Sequence, residues 1–198
     1  MEKAHTLFDV AGASRLNNDD VLLLVGLESR ADRDLDDFGQ IDGRFHLHGF
    51  EQHALPALEE LMAFIRSLGY KAGLFGPVGY PLEGEIRLKE EAVRTGLGKR
   101  GKSSVILHPE YGPRLRFMAI VTDAPLQTPP AGNLEEEPNP VCAGCSICID
   151  ICPVNILEPY RMVNMRECRS YINPVDEKGK SILCDLCVRM CPAGKPEV

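Results

Sequence analysis

From Cys142 to Pro153 the chain reads CAGCSICIDICP, and from Cys184 to Pro192 it reads CDLCVRMCP. With Cys168 between them, these runs contain all eight cysteines of the protein. The gaps are two, two and three residues in the first run and two and three in the second, and each run closes on Cys-Pro. A C-x2-C-x2-C loop offers three thiolates to one small object while its backbone N–H groups point the same way, which is how a [4Fe–4S] cube is held. The cysteine three residues further on is led away by the chain, and in two-cluster ferredoxins it ligates the other cube. The ligands are therefore expected to cross. One set is Cys142, Cys145, Cys148 and Cys191; the other is Cys152, Cys168, Cys184 and Cys187. Cys168 stands well before Cys184, so the segment EPYRMVNMRECRSYINPVDEKGKSIL is an insertion expected to pack around the second cluster.

Two other chemistries use cysteines in number. Four disulfides would suit an exported protein, but MEKAHTLFDVAG at the start has neither an apolar h-region nor a twin-arginine pair. Cysteines this close in sequence also cannot all pair without strain. Zinc takes a CxxC…CxxC pattern, which the triple C-x2-C-x2-C and the two Cys-Pro endings fit poorly. Thiolates on oxygen-sensitive clusters imply a reducing cytoplasm.

At 198 residues, with 44% hydrophobic and 26% charged composition, the chain suits one medium domain and one small one. No apolar run reaches membrane-spanning length, so no membrane is expected. A net charge of −7 argues against a basic nucleic-acid face. Residues 1–18 are weakly patterned and read as a cap or short helix. DVLLLVGLE, Asp20 to Glu28, is a strand-length apolar run buried on both faces. SRADRDLDDFGQIDG then reads as an acidic solvated loop. Leu55, Leu58, Leu61, Met62, Ile65 and Leu68 recur at helical spacing, and Gly69 supplies the stop. Lys71 to Pro81 allows only a short strand, and Glu85 to Thr95 a second helix. Ser104–Leu107 and Leu115–Thr122 read as strands joined by a hairpin-like turn around Pro109 and Gly112. Prolines and three successive glutamates mark 129–140 as a linker. The division expected is an α/β domain over 1–128, the linker, and a two-cluster ferredoxin-like domain over 141–198.

GLGKRGKS, Gly96 to Ser103, satisfies two phosphate-binding patterns. Such a loop must follow a strand and open a helix, so that N–H groups face the phosphate. This one follows a helix and enters a strand, so it is not read as a nucleotide site. Its glycines, with Lys99, Arg100 and Lys102, still let backbone approach another planar or anionic ligand.

TGLGKRGKSSVILHPEYGPRLRFMAIVTDAPL, followed by the two cysteine runs and Cys168 in ECRSYI, resembles the epoxyqueuosine reductase family and the related corrinoid-dependent reductive dehalogenases. The resemblance runs from about Asp20 to the last cysteine. It implies a nitroreductase-like α/β corrinoid domain followed by a bacterial-type two-[4Fe–4S] ferredoxin domain. Electrons would pass from an external ferredoxin- or flavodoxin-type donor through the clusters to cobalamin. The resemblance carries over the eight cysteines as cluster ligands. It also places Gly96, Gly98, Gly101 and Lys102 in the loop beside the corrinoid, with Tyr111, Thr122 and Asp123 on the same sheet. The family's proton-donating aspartate has no counterpart, because LFGPVGYPLEGEIR stands there and no aspartate occurs between Asp42 and Asp123. Glu83 and Glu85 are the candidate catalytic replacements; the plainer reading makes them first-turn acids favoured by the helix dipole. The family's C-terminal helical repeats, which help the tRNA-modifying enzymes hold RNA, have no counterpart, so no nucleic-acid partner is expected.

His46 and His48 in RFHLHGF share one face of a strand, a pair for a metal or simply two exposed histidines, since catalytic zinc wants a third protein ligand. Tyr80 and Tyr111, beside glycines, are pocket-lining or half-buried aromatics. Two functions of different class follow: a corrinoid-using reductase, and a ferredoxin-like electron-transfer protein that serves a partner without corrinoid.

Overall fold

A computed structural model describes residues 1–17, 19–41, 44–76, 87–130, 138–170, 172–173 and 180–194. The chain forms two compact units, each assembled from separated segments. The first comprises Met1–Glu28, Phe50–Leu97 and Leu115–Glu135; the second comprises Ser29–Gly49, Gly98–Arg114 and Glu136–Val198. The sequential division expected from the linker gives 29–49 and 98–114 to the α/β half, whereas by packing both segments go with the cysteines. Residues 131–137 of the linker lie outside the described residues.

The first unit is built on β2 (Val21–Glu28), the apolar run, buried from Val21 through Leu27. It pairs antiparallel with β8 (Leu115–Thr122), in register from Val21 opposite Thr122 to Glu28 opposite Leu115. On its other edge lies β1 (Val10–Arg15), and β5 (Ala72–Leu74) pairs with β8, giving the order β1-β2-β8-β5. Both strands are apolar and largely buried, Val21 to Leu27 throughout and Leu115, Phe117 to Ile120 and Thr122 in β8. Helix α2 (Leu55–Ser67) buries Leu58, Leu61, Met62 and Ile65 and packs against β5 and α1 (Glu2–Leu7). Leu68 is exposed instead of joining that stripe. Gly69 takes φ +90, the left-handed stop expected of it, and the Arg66 guanidinium closes the turn by donating to the Ala72 carbonyl. Helix α3 (Leu88–Arg94) packs on β1, β2 and β8.

The second unit contains short elements. Strands β3 (Asp37–Ile41) and β4 (Arg44–His46) form a sheet with β11 (Ile172–Asn173) and β12 (Lys180–Leu183), in the order β11-β12-β3-β4. Two further pairs are β6 (Lys99–Arg100) with β7 (Ile106–Leu107), and β9 (Leu157–Glu158) with β10 (Arg161–Met162). Helices α4 (Ile147–Asp150), α5 (Met165–Ser170) and α6 (Leu186–Arg189) carry or flank cysteines.

Three expectations need correction. The region 1–18 is not only a cap, because after α1 it contains β1. The acidic stretch after Glu28 is not all loop: Asp37–Ile41 is a strand, held by β12 from the far end of the chain. β7 does not form a hairpin with β8. It pairs with β6, and the turn around Pro109 closes on itself through a bridge between His108 and Gly112.

Candidate functional site

The first run starts where Asn139 caps a single 3-10 turn, Pro140–Cys142. Its carboxamide oxygen accepts the Val141 N–H at 3.1 Å, and its Nδ2 donates to the Lys99 carbonyl at 3.4 Å. Cys142 is buried with Leu107 and Ala193, and Cys191 packs against them. Lys102 donates from Nζ to the Cys145 carbonyl at 2.7 Å. Cys148 sits on α4. Its thiol is pushed up by burial and then by the charges of Cys191, Cys142 and Cys145, against its own backbone N–H. Burial also raises Cys191, opposed by the Ala193 N–H and by the Arg114 charge, with Cys142 and Cys145 adding to the rise. Cys142, Cys145, Cys148 and Cys191 are thus electrostatic neighbours.

The close seating of Cys191 depends on two glycines. A Cβ on Gly112, at φ +55, would lie 2.0 Å from the Ala193 carbonyl oxygen, and one on Gly194, at φ +88, would lie 2.4 Å from the Gly112 nitrogen. Backbone meets backbone at that point, so neither position has room for a side chain.

Cys152, Cys168, Cys184 and Cys187 line one small pocket, partly open to solvent. Its other walls are Pro153, Val154, Ile156, Leu157, Met162 and Leu186. In this apolar setting the Cys187 thiol is pushed up to about 12, by burial first and then by Cys168, Cys184, Cys148 and Cys152. Cys148 belongs to the other foursome, so the two groups are adjacent. None of the eight cysteines is in a disulfide. Among the described residues, no three His, Cys, Asp or Glu side chains converge closely enough for one metal ion. Four thiols around an apolar pocket suit a bulkier thiolate-bound group, and such a group must displace the protons that burial holds on them.

The residues expected around a corrinoid divide between the units. In the first, Gly96 faces open space, Thr122 is buried with its hydroxyl accepting the Ala124 N–H, and Asp123 accepts the Lys71 N–H at 2.6 Å. In the second, a Cβ on Gly98 would strike Ile106 and the Leu107 carbonyl, and one on Gly101 would strike the Leu107 side chain. Lys102 is on Cys145, and the Tyr111 ring stacks on His108 at 5.0 Å. His108 Nδ1 accepts the N–H groups of Glu110 and Tyr111, and burial lowers its pKa against the charge of Glu110. Apart from Gly96, each of these residues has a contact within its own unit. Glu83, Glu85 and Tyr80 lie outside the described residues. His46 and His48 stack at 5.6 Å and are half-buried, not exposed. Sequence reading missed Asn139, Arg114 and the Gly112–Gly194 contact; the only signals were a proline-glycine turn and a glycine just after a Cys-Pro.

No protein-family model matches the chain. Curated relatives do, and they are epoxyqueuosine reductases. The protein from Bacillus cereus is 30% identical over 122 residues, covering 57% of this chain and 30% of the relative. The one from Francisella cf. novicida is 27% identical over 167 residues, covering 76% and 44%. The chain therefore spans less than half the length of these relatives. Among solved structures, a reductive dehalogenase described in terms of B12-dependent dehalogenation superposes over 99% of this chain and 31% of its own, with TM-score 0.66 and 18% identity. An epoxyqueuosine reductase bound to an epoxyqueuosine-modified tRNA stem loop covers 89% and 49%, with TM-score 0.59 and 20% identity. The resemblance to epoxyqueuosine reductases and reductive dehalogenases is borne out, and the fold is the mixed α/β fold those structures share. Among the described residues, no helix is long and apolar enough to cross a membrane.

Proposed function

We propose that this chain is an iron–sulfur oxidoreductase of the epoxyqueuosine reductase kind, relaying electrons from an external ferredoxin- or flavodoxin-type donor. Cys142, Cys145, Cys148 and Cys191 would hold one [4Fe–4S] cluster, and Cys152, Cys168, Cys184 and Cys187 a second. When bound, such clusters supply low-potential one-electron transfer. The chain's own part is to present thiolates, to exclude water with Val154, Ile156, Leu157 and Leu186, and to give up thiol protons on loading. The observation that carries the reading is the pocket in which Cys152 from the first run, Cys168 from the insertion, and Cys184 and Cys187 from the second run meet. The adjacency of the two foursomes supports relay, and the names of the curated relatives support a reductase.

Anaerobic reconstitution tests this. About eight irons per chain are expected. Cys191→Ala should lose one cluster, and adding Cys142→Ala should cost no further iron. Loss of iron from the Cys184 set in Cys191→Ala would refute the crossing.

Cobalamin is the acceptor that the resemblance implies, and likeness to the fold of a B12-dependent dehalogenase supports it. The residues expected to hold it are divided between the two units, and no step is assigned to it. The missing aspartate between Asp42 and Asp123 favours a second reading, in which the acceptor is a partner protein. Ultraviolet–visible spectra after incubation with cobalamin separate the two: cobalt bands that co-purify and bleach on reduction support the first, and their absence supports the second. The stem loop bound by the solved reductase makes a modified tRNA a substrate to test beside small molecules.

A further inference from the structure

Lys102 was expected beside a corrinoid, yet its ammonium lies within the second unit on the Cys145 carbonyl, at 2.7 Å and part-buried. Cys145 is the middle cysteine of the C-x2-C-x2-C loop, whose backbone N–H groups point at what its thiolates bind. The same residue reaches the second foursome by a different atom. Its backbone carbonyl accepts the Tyr160 N–H at 3.0 Å. Tyr160, at φ +66, makes the turn between β9 and β10, whose Leu157 and Met162 line the second pocket. Lys102 is thus tied by its side chain to the loop of the first site and by its main chain to the turn whose strands border the second.

We propose that Lys102 is a positioning residue for the first cysteine set. Its ammonium fixes the loop through the Cys145 carbonyl and biases that site alone toward the reduced, more negatively charged state of its cluster. This deepens the two-cluster reading and rests on it. A charge-assisted hydrogen bond outlasts a neutral one in a half-buried site, and a fixed positive charge favours any neighbouring state that carries one more electron. Arg114 adds a second positive charge near Cys191. The residues lining the second pocket are cysteine or apolar, with no cation among them. The charge environments of the two sites therefore differ by construction, and the lysine side chain is the part that a substitution can remove without touching the main-chain tie to Tyr160.

The test uses the full chain, reconstituted without oxygen and titrated with dithionite. Each cluster gains one electron, dithionite is oxidised to sulfite, and no bond to protein forms or breaks. Iron and sulfide are counted and both reduction steps are followed by paramagnetic resonance. In Lys102→Met, one step should move to lower potential while the other stays. Lys102→Arg should restore it, and Lys102→Gln, which keeps a donor without the charge, should remain shifted. If Lys102→Met instead loses about half its iron, recovery in Lys102→Arg but not in Lys102→Gln supports the same role. Full iron with both steps unmoved overturns the proposal, as do both steps moving together or a failure of Lys102→Arg to restore. A wild-type chain without iron would sink the two-cluster reading itself; a two-cluster chain indifferent to Lys102→Met sinks only this inference.

Discussion

The two units reach stability by different means. In the first, Leu22, Leu24, Val25, Leu58, Met118 and Ile120 are wholly buried, and two eight-residue strands pair along their full length. In the second, the described strands have two to five residues, and the wholly buried large side chains are few, Leu35 and Ile106 foremost. Apolar area removed from water stabilises the first, at roughly 25 cal/mol per Å². Among the described residues, the second has less of it. The difference gives the proposed clusters a structural part beside their chemical one: bound to the cysteines, they would add buried contacts to the second unit.

The largest effect should come from removing those groups. After chelation and oxidation, amides of Ile147–Asp150 and Leu186–Arg189 should lose hydrogen-exchange protection while Val21–Glu28 and Leu115–Thr122 keep it. Simultaneous loss in both would break the comparison. Next, Gly112→Val forces a side chain into the Ala193 carbonyl; about 4 kcal/mol of destabilisation is expected, with iron lost from the first cysteine set, read by melting and iron analysis. In the first unit, Leu58→Ala opens a cavity under α2 and should cost about 3 kcal/mol in denaturant melts with iron content unchanged. A pH effect separates the units more gently. The Cys187 pKa is raised on folding, so the metal-free second unit holds that contribution below the ordinary thiol range. It should lose the contribution as pH climbs from about 9 toward 12. Urea melts of metal-free protein at rising pH, with and without Cys187→Ser, check this sign, since the variant should flatten the slope. Smallest is Ser14→Ala: the buried Ser14 hydroxyl has no partner among the described residues, so its removal should be neutral or stabilising by about 1 kcal/mol in the first unit only.

What could be read from sequence follows the same division. β2, α2 and β8 are long, apolar and periodic, and Leu115–Thr122 was legible to the residue. Cys152, Cys168, Cys184 and Cys187, grouped in the sequence by the ligand pattern, line one pocket. β1 was not, because Val-Ala-Gly-Ala-Ser carries little hydrophobic bulk. It is a strand because β2 pairs with it and because Gly12 leaves room for Thr95, where a Cβ would come within 2.8 Å. β3 was not legible either, since its partner β12 is far along the chain and local acidity hides a non-local pairing. Lys102 was placed by the resemblance in the loop beside a corrinoid, and the Cys145 carbonyl it meets in the structure was not legible, because no side-chain pattern marks a main-chain acceptor.

The pairing of β3 with β12 also sets a timetable. Asp37–Ile41 is synthesised well before Lys180–Leu183. At roughly 5–20 residues per second, the strand waits on the order of ten seconds or more with one edge unsatisfied. Meanwhile β2 and β8 can already close over the first unit. An unpaired edge invites another chain, so the nascent protein passes through an interval in which slow translation or a missing chaperone favours aggregation over folding.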